Sequence, residues 1–310
     1  MRKLWLLCSC AVLAASCVDS DYDLSAFGSG SIALGDETSL FKMPLAHISV
    51  ALGEIHDDKG SLQQMLAEAD VWLPSPLPGD AAYVDLARVR EDDSYLSGLL
   101  DALFAEMLAD QVKLDAVADL IWSEYKQDFL GTLDLPATAG ESLFKETFRL
   151  RFRNETLGSA IRRKTEESAR NYLTALDVDD LAYDLGSLDL GDALDMLTEN
   201  LDPAGTPDPK NTLSIEGEVS STLPLAMSLV PRFSPAEIAI PTFHIEAGTT
   251  PLPSTRIYAE DLRTLSAARN VAVHIGVDLL RYYPGRTLDE RNPVAIRLSL
   301  HKTGSLKLDL

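Results

Sequence analysis

The period of the apolar residues changes partway along this chain, and that change limits its fold more than any other feature. Leu96, Leu99, Leu100, Leu103, Phe104, Met107 and Leu108 fall three and four apart, the spacing that lines one buried helix face. Beyond residue 213 the apolar residues fall at every second position, in short runs broken by Pro or Gly, as strands with one buried face require. A chain that runs helix first and strand afterwards belongs to the α+β class rather than to the alternating α/β one. The expected fold class is therefore α+β: an N-terminal mixed region with a helical pair, then a C-terminal antiparallel β-sandwich.

Local signals refine this. Ser31–Leu34 and His47–Leu52 read as strands with Pro44 between them, and Ser61 as the cap of a helix through Asp70. Pro74, Pro76, Pro78 and Gly79 break regular structure. Asp92, Asp93 and Ser94 suit a helix start, and Val117, Leu120, Ile121, Tyr125 and Leu130 continue the stripe to a stop at Gly131. A helical hairpin and one long bent helix both fit residues 94–130. Phe148 to Arg153 alternates strictly, which predicts a strand with Arg149, Arg151 and Arg153 on one face. Those arginines would pair with cross-strand carboxylates, or form a cationic strip for lipid headgroups or acidic glycans. Residues 156–176 read as helix, through Leu157, Ile161, Ala169, Tyr172 and Leu173.

The first residues speak of address. Met1-Arg2-Lys3 is a basic start, Leu4–Ala15 an apolar run too short to span a membrane, and Ala14-Ala15-Ser16 supplies small residues before Cys17. That layout is a secretory signal peptide, 1–16. The three cysteines are Cys8, Cys10 and Cys17, so the mature chain would keep one thiol at its first residue. Thiolate zinc sites, iron–sulfur clusters and a cysteine nucleophile are thereby excluded. Cys17 after its small residues resembles a bacterial lipobox, with Ala14 where the usual motif has Leu and Leu13 one place earlier. The resemblance implies a diacylglycerol on the Cys17 sulfur, cleavage before it and an acylated amino terminus.

Val18-Asp-Ser-Asp-Tyr-Asp-Leu-Ser25 then resembles the mature start of Bacteroidota surface lipoproteins, most without an assigned activity. In several of these an acidic stretch after the cysteine is an export tag for the outer face of the outer membrane. The resemblance gives Asp19, Asp21 and Asp23 that role. Residues 17–30 read as a lipidated tether, 31–205 as a mixed α+β domain rich in helix, and 210–310 as a β-sandwich domain. The linker between the last two is Pro203 to Pro209. The membrane, through Cys17, is the one partner the sequence implies.

With 27 basic against 48 acidic residues the net charge is −21, the wrong sign for a nucleic-acid partner. G-x-S-x-G, Walker, dinucleotide-binding and H-E-x-x-H motifs are absent from the sequence, and no catalytic residue, cofactor or metal site is assigned. Three weaker candidates remain. His244 and Glu246 would share one strand face, and His56, Asp57 and Asp58 would share a turn. The stretch Asp177–Asp208, read as short helical turns, offers oxygens for calcium or is a solvated acidic face. The leading expectation is a non-catalytic binding or envelope structural module, for protein, glycan or lipid. The alternative is a carboxylate-based glycan hydrolase, which needs two acids facing across an aromatic-lined cleft. An assembly subunit, with an exposed sheet edge or a donated strand, is a third.

Overall fold

The computed structural model of the chain describes residues 32–51, 56–57, 60–178, 180–188, 190, 193–285 and 293–308. The signal peptide 1–16, Cys17 and the tether 17–30 with Asp19, Asp21 and Asp23 lie outside these residues. In chain order come β1 (Ile32–Leu34), β2 (Leu40–Ala51), β3 (His56–Asp57), β4 (Gly60–Ser61), α1 (Leu62–Trp72), a 3-10 turn at Pro78–Asp80 and β5 (Val84–Asp85). The helices α2 (Leu86–Glu91), α3 (Asp93–Ala109), α4 (Gln111–Glu124), α5 (Lys126–Leu130), α6 (Glu141–Arg153) and α7 (Gly158–Thr174) follow. Next are β6 (Leu181–Gly186), α8 (Ala193–Thr198), β7 (Leu213–Ser221), β8 (Leu225–Ser234), β9 (Ile238–Ala239), β10 (Phe243–Ile245), β11 (Gly248–Pro251) and β12 (Thr255–Ile257). The chain closes with α9 (Ala259–Ala267), β13 (Val271–Tyr282), β14 (Pro293–Thr303) and β15 (Leu306–Leu308). The class is α+β, with a β-rich C-terminal region of antiparallel pairs.

Side-chain caps set the helix starts. Ser61 and Gln64 cap each other at α1, Ser61 Oγ accepting from the Gln64 amide and Gln64 Oε1 from the Ser61 amide, both at 3.2 Å. Asp85, Asp92 and Asp110 each accept a backbone amide at the starts of α2, α3 and α4. Asp110 also resolves the pair: its extended backbone (φ −113°, ψ 123°) ends α3 and starts α4, so these are two helices and not one bent rod. Leu96, Leu99, Leu100, Leu103 and Met107 are buried as expected, while Leu108 stays exposed.

The strand expected at 148–153 is instead part of α6. Phe144, Phe148 and Phe152 are each fully buried, one helical turn apart, whereas Leu150 between them is 67% exposed. The arginines therefore fan out around a helix, and no one-faced strip forms. Arg149 meets Asp115 of α4 at 2.6 Å and Arg151 meets Asp134 at 2.9 Å, so the carboxylate pairing holds but between helices and loop.

Two sheets carry the strands. The five-stranded one runs β11-β7-β14-β2, with β12 extending the β11 edge along β7. The six-stranded one runs β10-β8-β13-β5, with β9 on β8 and β6 on β13. Each buries one face: Ile48, Val219 and Ile296 line the first, and Met227, Phe233, Val273 and Leu279 the second, within one contiguous core. Pro44 does not separate two strands; it sits inside β2, next to a bulge at Leu45, on an edge where its missing N–H is tolerated. β15 pairs β1 in a separate two-stranded ribbon.

The boundary expected at 205–210 does not divide the sheets. β2 supplies an edge of one sheet, and β5 and β6 supply edges of the other. The helical turns expected over 177–208 are in part strand, because β6 completes the edge of β13. Helices and sheet also join directly: Arg90 on α2 donates to the Leu279 carbonyl of β13 at 2.8 Å.

Candidate functional site

Neither histidine candidate belongs to a cluster of metal-ligating side chains among the described residues. His244 is exposed on β10 opposite Ser228, and Glu246 lies past the strand end in an ion pair with Arg281 at 2.7 Å. The backbone of His56 and Asp57 pairs with that of Ser61 and Gly60, and Asp58 lies outside the described residues. In the acidic stretch, Asp179, Asp189 and Asp192 lie outside them too. Asp184 accepts the Gly186 amide at 3.0 Å, and Asp202 Oδ2 accepts the Lys210 and Asn211 amides at 2.7 and 2.9 Å. Those amide bonds hold the Asp202 carboxyl below the usual range. Among the described residues no three His, Cys, Asp or Glu side chains converge as a metal site.

A cleft of about 370 Å³ opens between α1, the α4–α5 junction and α7, within the size range of small-ligand sites. Glu68 lines it. One turn on, the indole of Trp72 reaches back and donates to Glu68 Oε1 at 3.3 Å. From the break between α4 and α5 the Tyr125 hydroxyl donates to the same oxygen at 2.5 Å. Trp72 is fully buried and meets the Tyr125 ring edge-on, with centroids 5.8 Å apart. Burial first, then the bond to Glu68, raises the Tyr125 phenol above its ordinary value, so it stays a donor. Glu68 Oε2 makes no hydrogen bond within the described residues.

Around this fixed acceptor the cleft offers donors and acceptors of several kinds. Tyr172 of α7 gives its hydroxyl proton to the Met65 carbonyl at 2.7 Å, which fixes a second phenol ring in the wall. Lys164 also lines the cleft and meets Glu167 at 3.2 Å, and Asn171 and Asp128 add an amide and an exposed carboxylate. Two aromatic rings, carboxylates, an amide and an ammonium suit a ligand rich in hydroxyl groups. The cleft has one local signal in the sequence, the Glu68–Trp72 spacing, which by itself marks nothing. The other members come from helices far along the chain.

No protein-family model and no curated protein matches the chain. Among solved structures, a crystal structure of a Parabacteroides distasonis protein, provisionally described as secreted, is similar at 19% identity with a TM-score of 0.31. The match covers 40% of this chain and 38% of that one, and its score lies below that of a shared fold.

Proposed function

We propose that this chain is a lipoprotein held in the outer membrane through Cys17, facing outward, which binds a hydroxyl-rich ligand, a glycan, in the helical cleft without altering it. The observation that carries the binding reading is Glu68, which lines the cleft: two donors grip one carboxylate oxygen, and the other makes no hydrogen bond within the described residues. A carboxylate oriented before the ligand arrives loses little freedom on binding. The lipid anchor would hold this site at the membrane. Acyl chains contribute ~0.8 kcal/mol per buried CH₂, and more than one chain makes attachment stable. The acidic balance of the chain supports a partner other than nucleic acid.

Two measurements test it. A C-terminally tagged copy on intact cells is expected to lose its tag to protease, and Cys17→Ala to release the protein from the membrane fraction. A tag protected until the outer membrane is opened would overturn the outward placement. For the site, titration of envelope oligosaccharides by calorimetry is expected to show binding that Glu68→Gln weakens by about tenfold. Equal affinity in wild type and Glu68→Gln overturns the cleft.

A second reading rests on Asp128, which puts another carboxylate on the same cleft beside Tyr125 and Tyr172. Paired acids in an aromatic-lined cleft are the equipment of a glycan hydrolase. New reducing ends formed from the same oligosaccharides, and lost in both Glu68→Gln and Asp128→Asn, would establish hydrolysis over binding.

A further inference from the structure

One end of the helical bundle carries exposed apolar and basic side chains together. Two ion pairs fix how α4 and α6 lie: Lys145 meets Asp119 at 2.8 Å and Arg149 meets Asp115 at 2.6 Å. The pairing is antiparallel, so one turn further on the end of α6 at Arg153 reaches the start of α4 at Gln111. The turn from α3 to α4 and the turn from α6 to α7 therefore share this end. Phe104 of α3 meets Phe152 of α6 beneath it, with ring centroids 5.8 Å apart.

Four large apolar side chains stay in solvent here. Leu108 and Val112 flank the first turn, Leu150 and Leu157 the second, and Val112 is 75% exposed. Gly158 brings Leu157 close to the last turn of α6: a Cβ there would lie 2.8 and 2.9 Å from the Arg151 and Phe152 carbonyl oxygens. Exposed apolar residues that gather at one place mark a contact surface, whereas scattered ones do not.

The charge of this end runs against that of the chain. The whole is at −21, yet residues 149–164 hold six basic residues and a single acid, Glu155. Arg149 and Arg151 are taken by Asp115 and Asp134, Lys164 by Glu167, and Arg162 by the Phe152 carbonyl at 2.8 Å. Arg153 and Arg163 are exposed and make no ion pair or hydrogen bond among the described residues. Two neighbouring acids turn to backbone amides: Asp110 accepts from Val112 and Glu106 from Ser75, both at 2.8 Å.

We propose that this end of the bundle docks on an anionic lipid bilayer, with Val112, Leu150 and Leu157 entering the headgroup layer and Arg153 and Arg163 on the lipid phosphates. Leucines beside unpaired arginines fit a surface that is anionic outside and apolar just below. The acids elsewhere on the chain oppose this weakly, because charges more than ~8 Å from the bilayer are screened at physiological salt. The contact rests neither on an acyl chain at Cys17 nor on the helical cleft. Alone it is weak and reversible, so removal of an acyl anchor still releases the protein from washed membranes.

The test is flotation of the full chain carrying Cys17→Ala, which takes no acyl chain, with vesicles of phosphatidylcholine alone or mixed with equal parts of phosphatidylglycerol. Binding to the mixed vesicles is expected to be about tenfold stronger and to weaken as salt is raised. Arg153→Glu with Arg163→Glu, and Val112→Asp with Leu150→Asp, are each expected to lower it about tenfold. All four positions are exposed, so both double variants keep the fold, as circular dichroism would show. Leu143→Asp, also exposed but two turns back along α6, leaves binding unchanged. No binding to the mixed vesicles, equal binding to both kinds, or unchanged binding in either double variant overturns the proposal. A lipid-free dimer of the wild type that Val112→Asp with Leu150→Asp splits also overturns it, since the patch would then join two copies of the chain.

Discussion

The Tyr282 hydroxyl, at the end of β13, donates a hydrogen bond to the Leu66 carbonyl of α1 at 3.3 Å. Both residues are fully buried, and the bond ties the six-stranded sheet to the first helix. Tyr282→Phe is expected to lower stability by about 1 kcal/mol, and Tyr282→Ala by about 3–5 kcal/mol, read from denaturant midpoints. The same site predicts a pH dependence. Burial, with the bond to Asp70 second, raises the phenol above its ordinary value. The folded state thus keeps a proton that the unfolded chain sheds near pH ~10, so this contribution is complete below that pH and is lost as pH rises above it. From about pH 9 to 11, Tyr282→Phe is expected to lose less stability than the wild type.

Gly217, in the middle of β7, has no room for a side chain. A Cβ there would lie 2.0 Å from the Arg297 carbonyl oxygen of β14 and 3.0 Å from Leu252 Cδ1. Both neighbours are held, Arg297 by the ladder and Leu252 by a backbone bond from its amide to the Gly217 carbonyl at 2.9 Å. Gly217→Ala must push β14 aside, and overpacking of this kind costs about 1–3 kcal/mol. A shifted urea midpoint with unchanged slope is the expected result; an unchanged midpoint would mean that the strands are farther apart here.

Phe148 and Leu150 separate the two readings of residues 148–153. As a strand they would share one face, yet Phe148 is fully buried between Phe129 and Phe152 and Leu150 is exposed. Phe148→Ala is expected to cost about 3–5 kcal/mol, while Leu150→Ala stays within about 0.5 kcal/mol. Comparable losses at both positions would return this segment to a strand.

That segment shows where sequence pattern stops being decisive. Phe148, Leu150 and Phe152 satisfy a period of two, and Phe144, Phe148 and Phe152 satisfy one of four; only the neighbouring helices α4 and α7 choose between them. Where a cap and a stripe agree, as at Asp92 with Leu96 and Leu99, the helix is legible. Most strands beyond residue 213 are legible too, because one face is buried. β11, Gly248–Pro251, is an edge strand with no buried residue and leaves no alternation to read. The cleft is less legible still: Tyr125 and Glu68 stand 57 residues apart, and their meeting depends on how α1 and α4 pack.

Tyr125 should therefore act on the cleft through Glu68. Its hydroxyl bonds a charged oxygen, a type of bond worth about 1.5–3 kcal/mol, and the indole of Trp72 shares that oxygen. Tyr125→Phe keeps the ring against Trp72 and removes only the bond. Glu68 then keeps one donor and regains rotamer freedom, so ligand affinity is expected to fall about fivefold with a stability loss of about 1–2 kcal/mol. Because Tyr125 positions the carboxylate, Tyr125→Phe should have no further effect in a Glu68→Gln background, where the bond is already weakened. Additive losses of affinity in the double variant, measured by calorimetry, would show instead that the Tyr125 hydroxyl touches the ligand itself.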